Sequence, residues 1–135
     1  MGGEVFLRKD GYEVSEKIKE LGIELGFITN GFIKSTNLIT QIKNVQPIFV
    51  GVSIDEGTAK THDKIRGVNG SFDRALNFVD LCLAEKIQFI VITSVHKLNI
   101  KELRLLRDIL FEKDILLWEL QITDVEGEIS KRLSC

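Results

Sequence analysis

The sequence predicts an α/β fold built on a parallel sheet. Short apolar runs rich in β-branched residues alternate with amphipathic helical stretches along the chain, which is the pattern of βαβ units. One of these runs, residues 48–54, is apolar nearly throughout, and this suits a strand covered on both faces, as parallel sheets require. With 135 residues, 44% hydrophobic and 28% charged, the chain is long enough for one domain with its own core.

Apolar residues at helical spacing predict the first two helices. Val14, Ile18 and Leu21 share one face, and Gly22 ends that helix. Leu38 and Ile42 form the apolar stripe of the second helix. The predicted elements of the first half are helix 12–21, strand 23–28, helix 36–44 and strand 48–54.

Polar capping residues mark the start of the two later helices. Ser71 is a candidate N-cap for a helix that carries Phe72, and Asn99 is followed by Glu102 at the third helical position, as in a capping box. Residues 55–70 are polar and are predicted to be a long connection. The second half is predicted to hold helix 71–83, strand 87–95, helix 99–110 and strand 115–122. The whole chain, 1–135, is predicted to be a single domain, in which residues 1–123 form the α/β part and 124–135 a polar tail.

Composition argues against several classes of function. Lys and Arg number 18 against 20 Asp and Glu, without a block of like charge, so a broad electrostatic hold on nucleic acid or an anionic membrane is not expected. No apolar run reaches the ~18 residues of a membrane span, and the first residues do not resemble a signal peptide, so a cytoplasmic protein is expected. Cys82 and Cys135 are too few for a zinc or iron–sulfur site made of thiolates alone. Cys82 is predicted to be buried as a small hydrophobe.

Several isolated candidates are expected to have structural roles. His62 and His96 lie in polar connections without a second ligand at metal spacing, which favours solvated or capping roles. Asp63 and Arg66 are close enough to form a local ion pair, and Trp118 is predicted to lie in the core or line a barrel. No Ser-His-Asp order, Walker loop or Rossmann glycine pattern is present.

The segments that end the predicted strands are unusually polar. Ligands of parallel α/β sheets bind at the carboxyl ends of the strands, so these segments together form a candidate site, the strand-end rim. They are Thr29-Asn30-Gly31, Ser53-Ile54-Asp55, Thr93-Ser94-Val95 and Gln121-Ile122-Thr123. Each segment alone is also typical of an ordinary turn.

A set of short motifs, taken in chain order, carries a family resemblance. The motifs are Gly2-Gly3-Glu4 with Leu7-Arg8, Thr29-Asn30-Gly31, Ser53-Ile54-Asp55, His62 to Gly67, Gly70-Ser71-Phe72 and Thr93 to Asn99. In this order they resemble the radical S-adenosylmethionine (SAM) enzymes, in the branch of the sulfatase-maturating enzymes and the pyrroloquinoline quinone synthesis protein E. The resemblance covers residues 2–123 and implies a partial parallel (β/α) barrel of about four strands. It further implies that SAM lies across the strand ends and that the substrate is a peptide or a cofactor precursor.

The resemblance also implies roles for individual residues. Gly2, Gly3 and Glu4 would hydrogen-bond the amino group of SAM, and Thr29 and Asn30 would border SAM. Ser53 and Asp55 would lie near the carboxylate and ribose of SAM, and Arg66 would pair with the carboxylate. Thr93 to Val95 would contact the adenine. A guanidinium suits that place because Arg binds carboxylates in bidentate fashion. Val5 departs from the family, which usually has proline after the glutamate.

The cysteine motif of that family is missing from the sequence. Its members hold a [4Fe-4S] cluster with Cys-x3-Cys-x2-Cys, and no such run occurs here. The Gly-Gly-Glu turn follows the second strand of such barrels, so we expect a fragment of a longer enzyme. The cluster would then belong to the full-length parent only, and the chain alone would be inactive.

Two other functions remain open at the level of sequence. The first is a degenerate barrel that binds SAM, a nucleotide or a protein partner without redox chemistry, so whether the chain is an enzyme stays undecided. The second is an unrelated flavodoxin-like or receiver-type domain, which is disfavoured because no acidic cluster follows an early strand and no phosphate-binding loop is seen.

The resemblance has a consequence for assembly. Strand 23–28 is internal in the family barrel and would become an exposed sheet edge in this chain. Exposed edges pair readily with other chains, so self-association through this strand is expected.

Overall fold

Strands and helices alternate along the chain in the computed structural model, which describes residues 7–33, 37–115 and 117–122. The strands are β1 (Gly26–Thr29), β2 (Phe49–Ser53), β3 (Phe89–Val95) and β4 (Trp118–Ile122). The helices are α1 (Gly11–Glu20), α2 (Leu38–Val45), α3 (Ala59–Arg66), α4 (Ser71–Ala84) and α5 (Leu103–Glu112). All four predicted strands are therefore confirmed, with ends that differ by up to three residues.

The four strands form one parallel sheet in the order β1-β2-β3-β4. Gly26 of β1 pairs with Phe49 of β2, and Val91 of β3 pairs with Trp118 of β4. Sequence neighbours are also neighbours in the sheet, and helices lie in each connection. The carboxyl ends of all four strands consequently meet at one edge, as the α/β prediction requires.

One face of the sheet packs against α2, α4 and α5 to form the core. Its largest contributors are Val50, Val52, Ile54 and Val91 of the strand region and Leu38, Ile42, Phe72, Phe78, Val79, Leu106 and Leu110 of the helices. Gly51 on β2 is also buried, and a Cβ there would lie only 2.6 Å from Cδ1 of Ile92 and 3.3 Å from Cγ1 of Ile28. The missing side chain lets these two residues close over the strand, so β2 is covered on both faces as predicted.

The prediction that residues 55–70 form a connection without secondary structure was wrong, because they contain α3. Thr58 caps this helix by accepting a hydrogen bond from the Thr61 amide, and Gly67 ends it with a φ of 69°. The only fully buried side chain on α3 is that of His62. A helix without an apolar stripe gives no periodic signal, which is why the sequence did not reveal it.

The two predicted N-caps also differ from the structure. Ser71 is the first residue of α4 and follows an N-cap at Gly70, which has a φ of 79°. Asn99 lies in a run of turns, and α5 begins only at Leu103 after an N-cap at Glu102. Asn99 is fully buried, and its side chain donates hydrogen bonds to backbone oxygens after β2 and in β3.

Other expectations are confirmed where the structure describes them. Cys82 lies in the core, and burial raises the pKa of its thiol to about 12, so it is inert. Trp118 packs against the core.

No helix among the described residues has the length and apolar character needed to cross a membrane. Residues 2–4 and the tail 124–135 lie outside the described part.

Candidate functional site

Asp55 joins three elements at the carboxyl end of β2. Its Oδ1 accepts a hydrogen bond from the Ser94 amide at 2.8 Å, and its Oδ2 accepts one from Nη2 of Arg66 at 2.5 Å. The carboxylate thus connects the ends of β2 and β3 to the last residue of α3. The predicted pair of Asp63 with Arg66 was wrong, because Asp55 takes the guanidinium.

Arg66 remains accessible from solvent. Its side chain is 31% exposed, and within the described ranges its only hydrogen bond goes from Nη2 to Asp55. A guanidinium has five N–H donors in a planar fork, so most of them stay available to a ligand. The position suits recognition of an anion, with a carboxylate as the best geometric match.

Asn99 holds the same two strand ends together from inside the protein. Its Nδ2 donates to the backbone oxygens of Asp55 at 2.8 Å and Ser94 at 2.7 Å, and its Oδ1 accepts from the His96 amide at 2.9 Å. The two acceptors belong to the backbone of the strand-end rim, and the His96 amide follows directly after it. The buried amide therefore fixes the spacing between β2 and β3 at the candidate site.

Thr29 and Asn30 shape the turn after β1. Oγ1 of buried Thr29 accepts from the Gly31 amide at 3.0 Å, and Oδ1 of exposed Asn30 accepts from the Phe32 amide at 3.0 Å. Gly31 has a φ of 83°, and a Cβ there would lie 2.7 Å from Cα of Ala75 on α4. The glycine permits this close approach, which sets the turn against the body of the domain.

Thr93 uses its hydroxyl inside the protein. The side chain is fully buried, donates to the backbone oxygen of Ile54 and accepts from Nε1 of Trp118 at 2.9 Å. Ser53 and Val95 are half-buried at the ends of their strands. Any contact of Thr93 with a ligand at the rim therefore falls to its backbone.

Glu56 and His96 are two titratable groups beside the rim whose burial the sequence did not reveal. Glu56 is 0% exposed, and neither carboxyl oxygen has a hydrogen-bond partner in the part of the chain that is described. Burial, followed by the charge of Asp55, raises the pKa of Glu56 to about 8. Nε2 of His96 lies 3.9 Å from Oε1 of Glu56, which is too long for a hydrogen bond.

Both histidines were expected to be solvated or to cap a turn; neither is solvated, but His96 does have a capping contact. His62 is 1% exposed, and its Nδ1 lies 2.9 Å from Oγ of Ser71. His96 is buried too, although its Nδ1 accepts from the Leu98 amide at 3.2 Å, which is a local capping role. Sequence patterns place both residues in polar loops and carry no signal of the tertiary burial.

Two clefts lie elsewhere, beside α1 and β1. The first, about 80 Å³, is lined by residues that include Arg8, Tyr12 and Gln41, and the second, about 220 Å³, lies along Val14 and Ile28. Neither cleft includes a predicted ligand-binding residue of the strand-end rim.

Comparison with known proteins identifies the class to which this fold and site belong. The family model of the Radical SAM superfamily matches residues 1–109. The chain therefore belongs to the Radical SAM superfamily. A curated relative, "Fe-coproporphyrin III synthase" of Methanosarcina barkeri, is 34% identical over 114 residues, which are 84% of this chain and 28% of that protein. The chain thus spans less than a third of this relative.

A second curated relative and a solved structure are also similar to this chain. The "Antilisterial bacteriocin subtilosin biosynthesis protein AlbA" of Bacillus subtilis is 28% identical over 76% of this chain and 23% of its own length. The crystal structure of Streptococcus suis SuiB bound to S-adenosylmethionine matches with a TM-score of 0.76 at 15% identity, over 98% of this chain and 33% of SuiB. The parallel fold of a radical SAM domain is thereby confirmed.

The two cofactors of the family fit this chain differently. Radical SAM homologues bind SAM and a [4Fe-4S] cluster. In the described ranges no group of three or more His, Cys, Asp or Glu residues is placed to hold a metal, and the thiol of Cys82 is buried in the core. These residues do not fit a cluster, whereas the partly exposed guanidinium of Arg66 is a group that can bind an anion.

Proposed function

We propose that this chain binds SAM at the strand-end rim, as part of a radical SAM enzyme that modifies a peptide or a cofactor precursor. One observation carries the proposal: the guanidinium of Arg66, anchored by Asp55 at the end of β2, keeps donors available toward solvent. Membership of the superfamily supports SAM as the ligand. Relatives named for coproporphyrin and bacteriocin biosynthesis support a cofactor precursor or a peptide as substrate.

The remaining rim residues would surround the ligand. Ser53 and Asp55 lie at the end of β2, where the ribose and the carboxylate would sit. The backbones of Thr29 and Thr93 would border SAM, since their hydroxyls are engaged inside the protein. Val95 would supply an apolar contact to the adenine. Gly2, Gly3 and Glu4 would hold the amino group of SAM.

We further propose that the chain alone does not cleave SAM reductively. The described residues offer no site for the [4Fe-4S] cluster that members of the superfamily use. The cluster would be supplied by the rest of a longer parent protein. The contribution of this chain is then to bind and orient SAM.

Arg66→Lys is expected to raise the Kd of the chain for SAM about tenfold, or ~1.4 kcal/mol, in isothermal titration calorimetry. Lysine keeps the positive charge but loses the planar fork that matches a carboxylate. Arg107→Lys is the matched control, because Arg107 lies exposed on α5 and pairs only locally with Asp108. Equal SAM affinity of wild type and Arg66→Lys would contradict the role of Arg66.

Self-association through β1 is a separate expectation. β1 lies at one end of the described sheet, and Ile28 on this strand is 56% exposed. We expect the mass measured by light scattering to rise with concentration, and Ile28→Lys to suppress the rise, since an inserted charge blocks edge pairing. Ile100→Lys, at a turn residue that is 58% exposed, is the control. A wild-type monomer at all concentrations would contradict the expectation.

A further inference from the structure

Helix α3 is held in place largely by polar contacts, since Ala59 is its one hydrophobic residue that packs against the described core cluster. At its N-terminal end, Oε1 of Glu102 accepts from Oγ1 of Thr61 at 2.6 Å, and Oε2 accepts from the Gly57 amide at 3.1 Å. At its C-terminal end, Arg66 reaches Asp55. Because only the side chain of His62 is fully buried on this helix, the orientation of α3 depends on such contacts.

Asp63 makes the most extensive of these contacts. Its Oδ2 accepts from the Gly70 amide at 2.7 Å, and its Oδ1 accepts from the Phe72 amide and the Ser71 hydroxyl, both at 2.9 Å. The N-cap of α4 is a glycine without a side chain, so Asp63 replaces the missing cap from a neighbouring helix. The amide hydrogen bonds of Phe72 and Gly70 lower the pKa of Asp63, which is therefore charged near neutral pH.

His62 extends the same network. The Ser71 hydroxyl donates to Asp63, so the His62 ring must donate from Nδ1 to Ser71 Oγ. Burial lowers the pKa of His62, which keeps the ring neutral. The ring also contacts Phe72 edge-on, with 5.6 Å between centroids. Histidine and aspartate thus fix the last two turns of α3 against the start of α4.

We propose that Asp63, supported by His62 and Ser71, is a positioning residue that holds Arg66 in the geometry required to receive the carboxylate of the ligand. Arg66 lies three residues after Asp63 in the same helical turn. Holding a long, flexible side chain in its bound geometry lowers the entropy cost of binding. This inference rests on the proposed function of Arg66 and extends it to residues that do not touch the ligand.

The test compares two ligands that differ in the amino acid portion, which carries the carboxylate. S-adenosylhomocysteine carries the amino acid portion, and 5′-methylthioadenosine keeps the adenosine and the thioether sulfur but lacks that portion. Asp63→Asn is expected to raise the Kd for S-adenosylhomocysteine about tenfold and to change the Kd for 5′-methylthioadenosine less than twofold. Asp80→Asn, in an exposed ion pair on α4, is the control. Equal weakening for both ligands would show a merely structural role and overturn the proposal.

A second readout needs no ligand. The ¹⁵N relaxation of the Arg66 Nε–H group is expected to report an ordered side chain in the wild type and a mobile one in Asp63→Asn. Ser71→Ala, which removes one donor to Asp63, is expected to show a smaller change in the same direction and covers the case in which Asp63→Asn fails to fold. Unchanged Arg66 dynamics in both variants would overturn the positioning role. If Arg66 becomes mobile in Asp63→Asn but the wild type binds neither S-adenosylhomocysteine nor 5′-methylthioadenosine, the positioning of Arg66 by Asp63 would stand and the proposed SAM binding would be refuted.

Discussion

Glu56→Gln is expected to stabilise the chain strongly at pH 8 and to leave its stability nearly unchanged at pH 4. Glu56 is fully buried, and burial raises the pKa of its carboxyl from 4.5 to about 8. Its charged neighbours are Asp55 and Glu102, which raise this pKa, and Arg66, which lowers it. His96 faces it from the segment after β3 at 3.9 Å.

The sign of the pH dependence follows because the pKa of Glu56 is higher in the folded chain, about 8, than in the unfolded chain, 4.5. Below pH 4.5 the carboxyl is protonated in the folded and the unfolded state, so it has no effect on the free energy of unfolding. As the pH rises from 4.5 to 8, the unfolded chain releases the proton while the folded chain retains it, so stability is lost. At about 1.4 kcal/mol per unit, the upper limit of the loss is roughly 5 kcal/mol.

Urea denaturation at pH 4, 6, 8 and 9 measures this effect directly. Glutamine keeps the shape of the side chain but carries no charge, so its curve should be flatter than that of the wild type between pH 4.5 and 8. Glu24→Gln, at an exposed position, is the control for a general effect of net charge. Parallel pH profiles for wild type and Glu56→Gln would show that Glu56 is not held in its neutral form.

Asn99→Asp is expected to destabilise the chain by about 3–5 kcal/mol at pH 7, because it leaves buried backbone oxygens unpaired and places a charge beside them. The amide group donates to the oxygens of Asp55 and Ser94, and an ionised carboxylate has no proton to offer either of them. The loss should shrink at pH 5 and below, where a protonated aspartate regains one donor.

Thermal or chemical denaturation of Asn99→Asp at pH 7 and pH 5 distinguishes the loss of these hydrogen bonds from a general packing defect, which would not depend on pH. Asn69→Asp, at an exposed position, is the matched control and should change the free energy of unfolding by less than 0.5 kcal/mol. A loss below 1 kcal/mol for Asn99→Asp, or a loss independent of pH, would contradict the role of Asn99 in joining β2 to β3.

The parallel sheet was predictable because each strand is a short apolar run between helices that show a clear period. Helix α3 was not, since its buried position is occupied by His62 and its remaining contacts are polar. The same limit explains Asn99, whose place after β3 suggests a helix cap, although its side chain turns inward to bond the backbones of β2 and β3. Apolar periodicity in the sequence predicts helices and strands, but it does not predict hydrogen bonds between residues that are distant in the sequence.

The candidate site was predictable only where motifs identify a family. Asp55 and Arg66 were both predicted as ligand-binding residues, yet their mutual ion pair was not, and Asp63 was taken as the partner of Arg66. Glu56 lies in a polar segment that would ordinarily be exposed, and nothing in the sequence indicates its burial. The ion pair of Asp55 with Arg66 and the burial of Glu56 become visible only in the folded structure, where the strand ends, α3 and α5 come together.

The most direct test of the account is an NMR titration of the ¹⁵N-labelled chain with S-adenosylhomocysteine. We expect the largest chemical-shift changes at the ends of β2 and β3, at Ser53, Asp55, Ser94 and Val95, and at the side chain of Arg66. Changes centred on Arg8, Tyr12 and Gln41 would place the ligand in the cleft beside α1 and contradict a site at the strand-end rim. The absence of any change at millimolar ligand would contradict SAM binding by this chain.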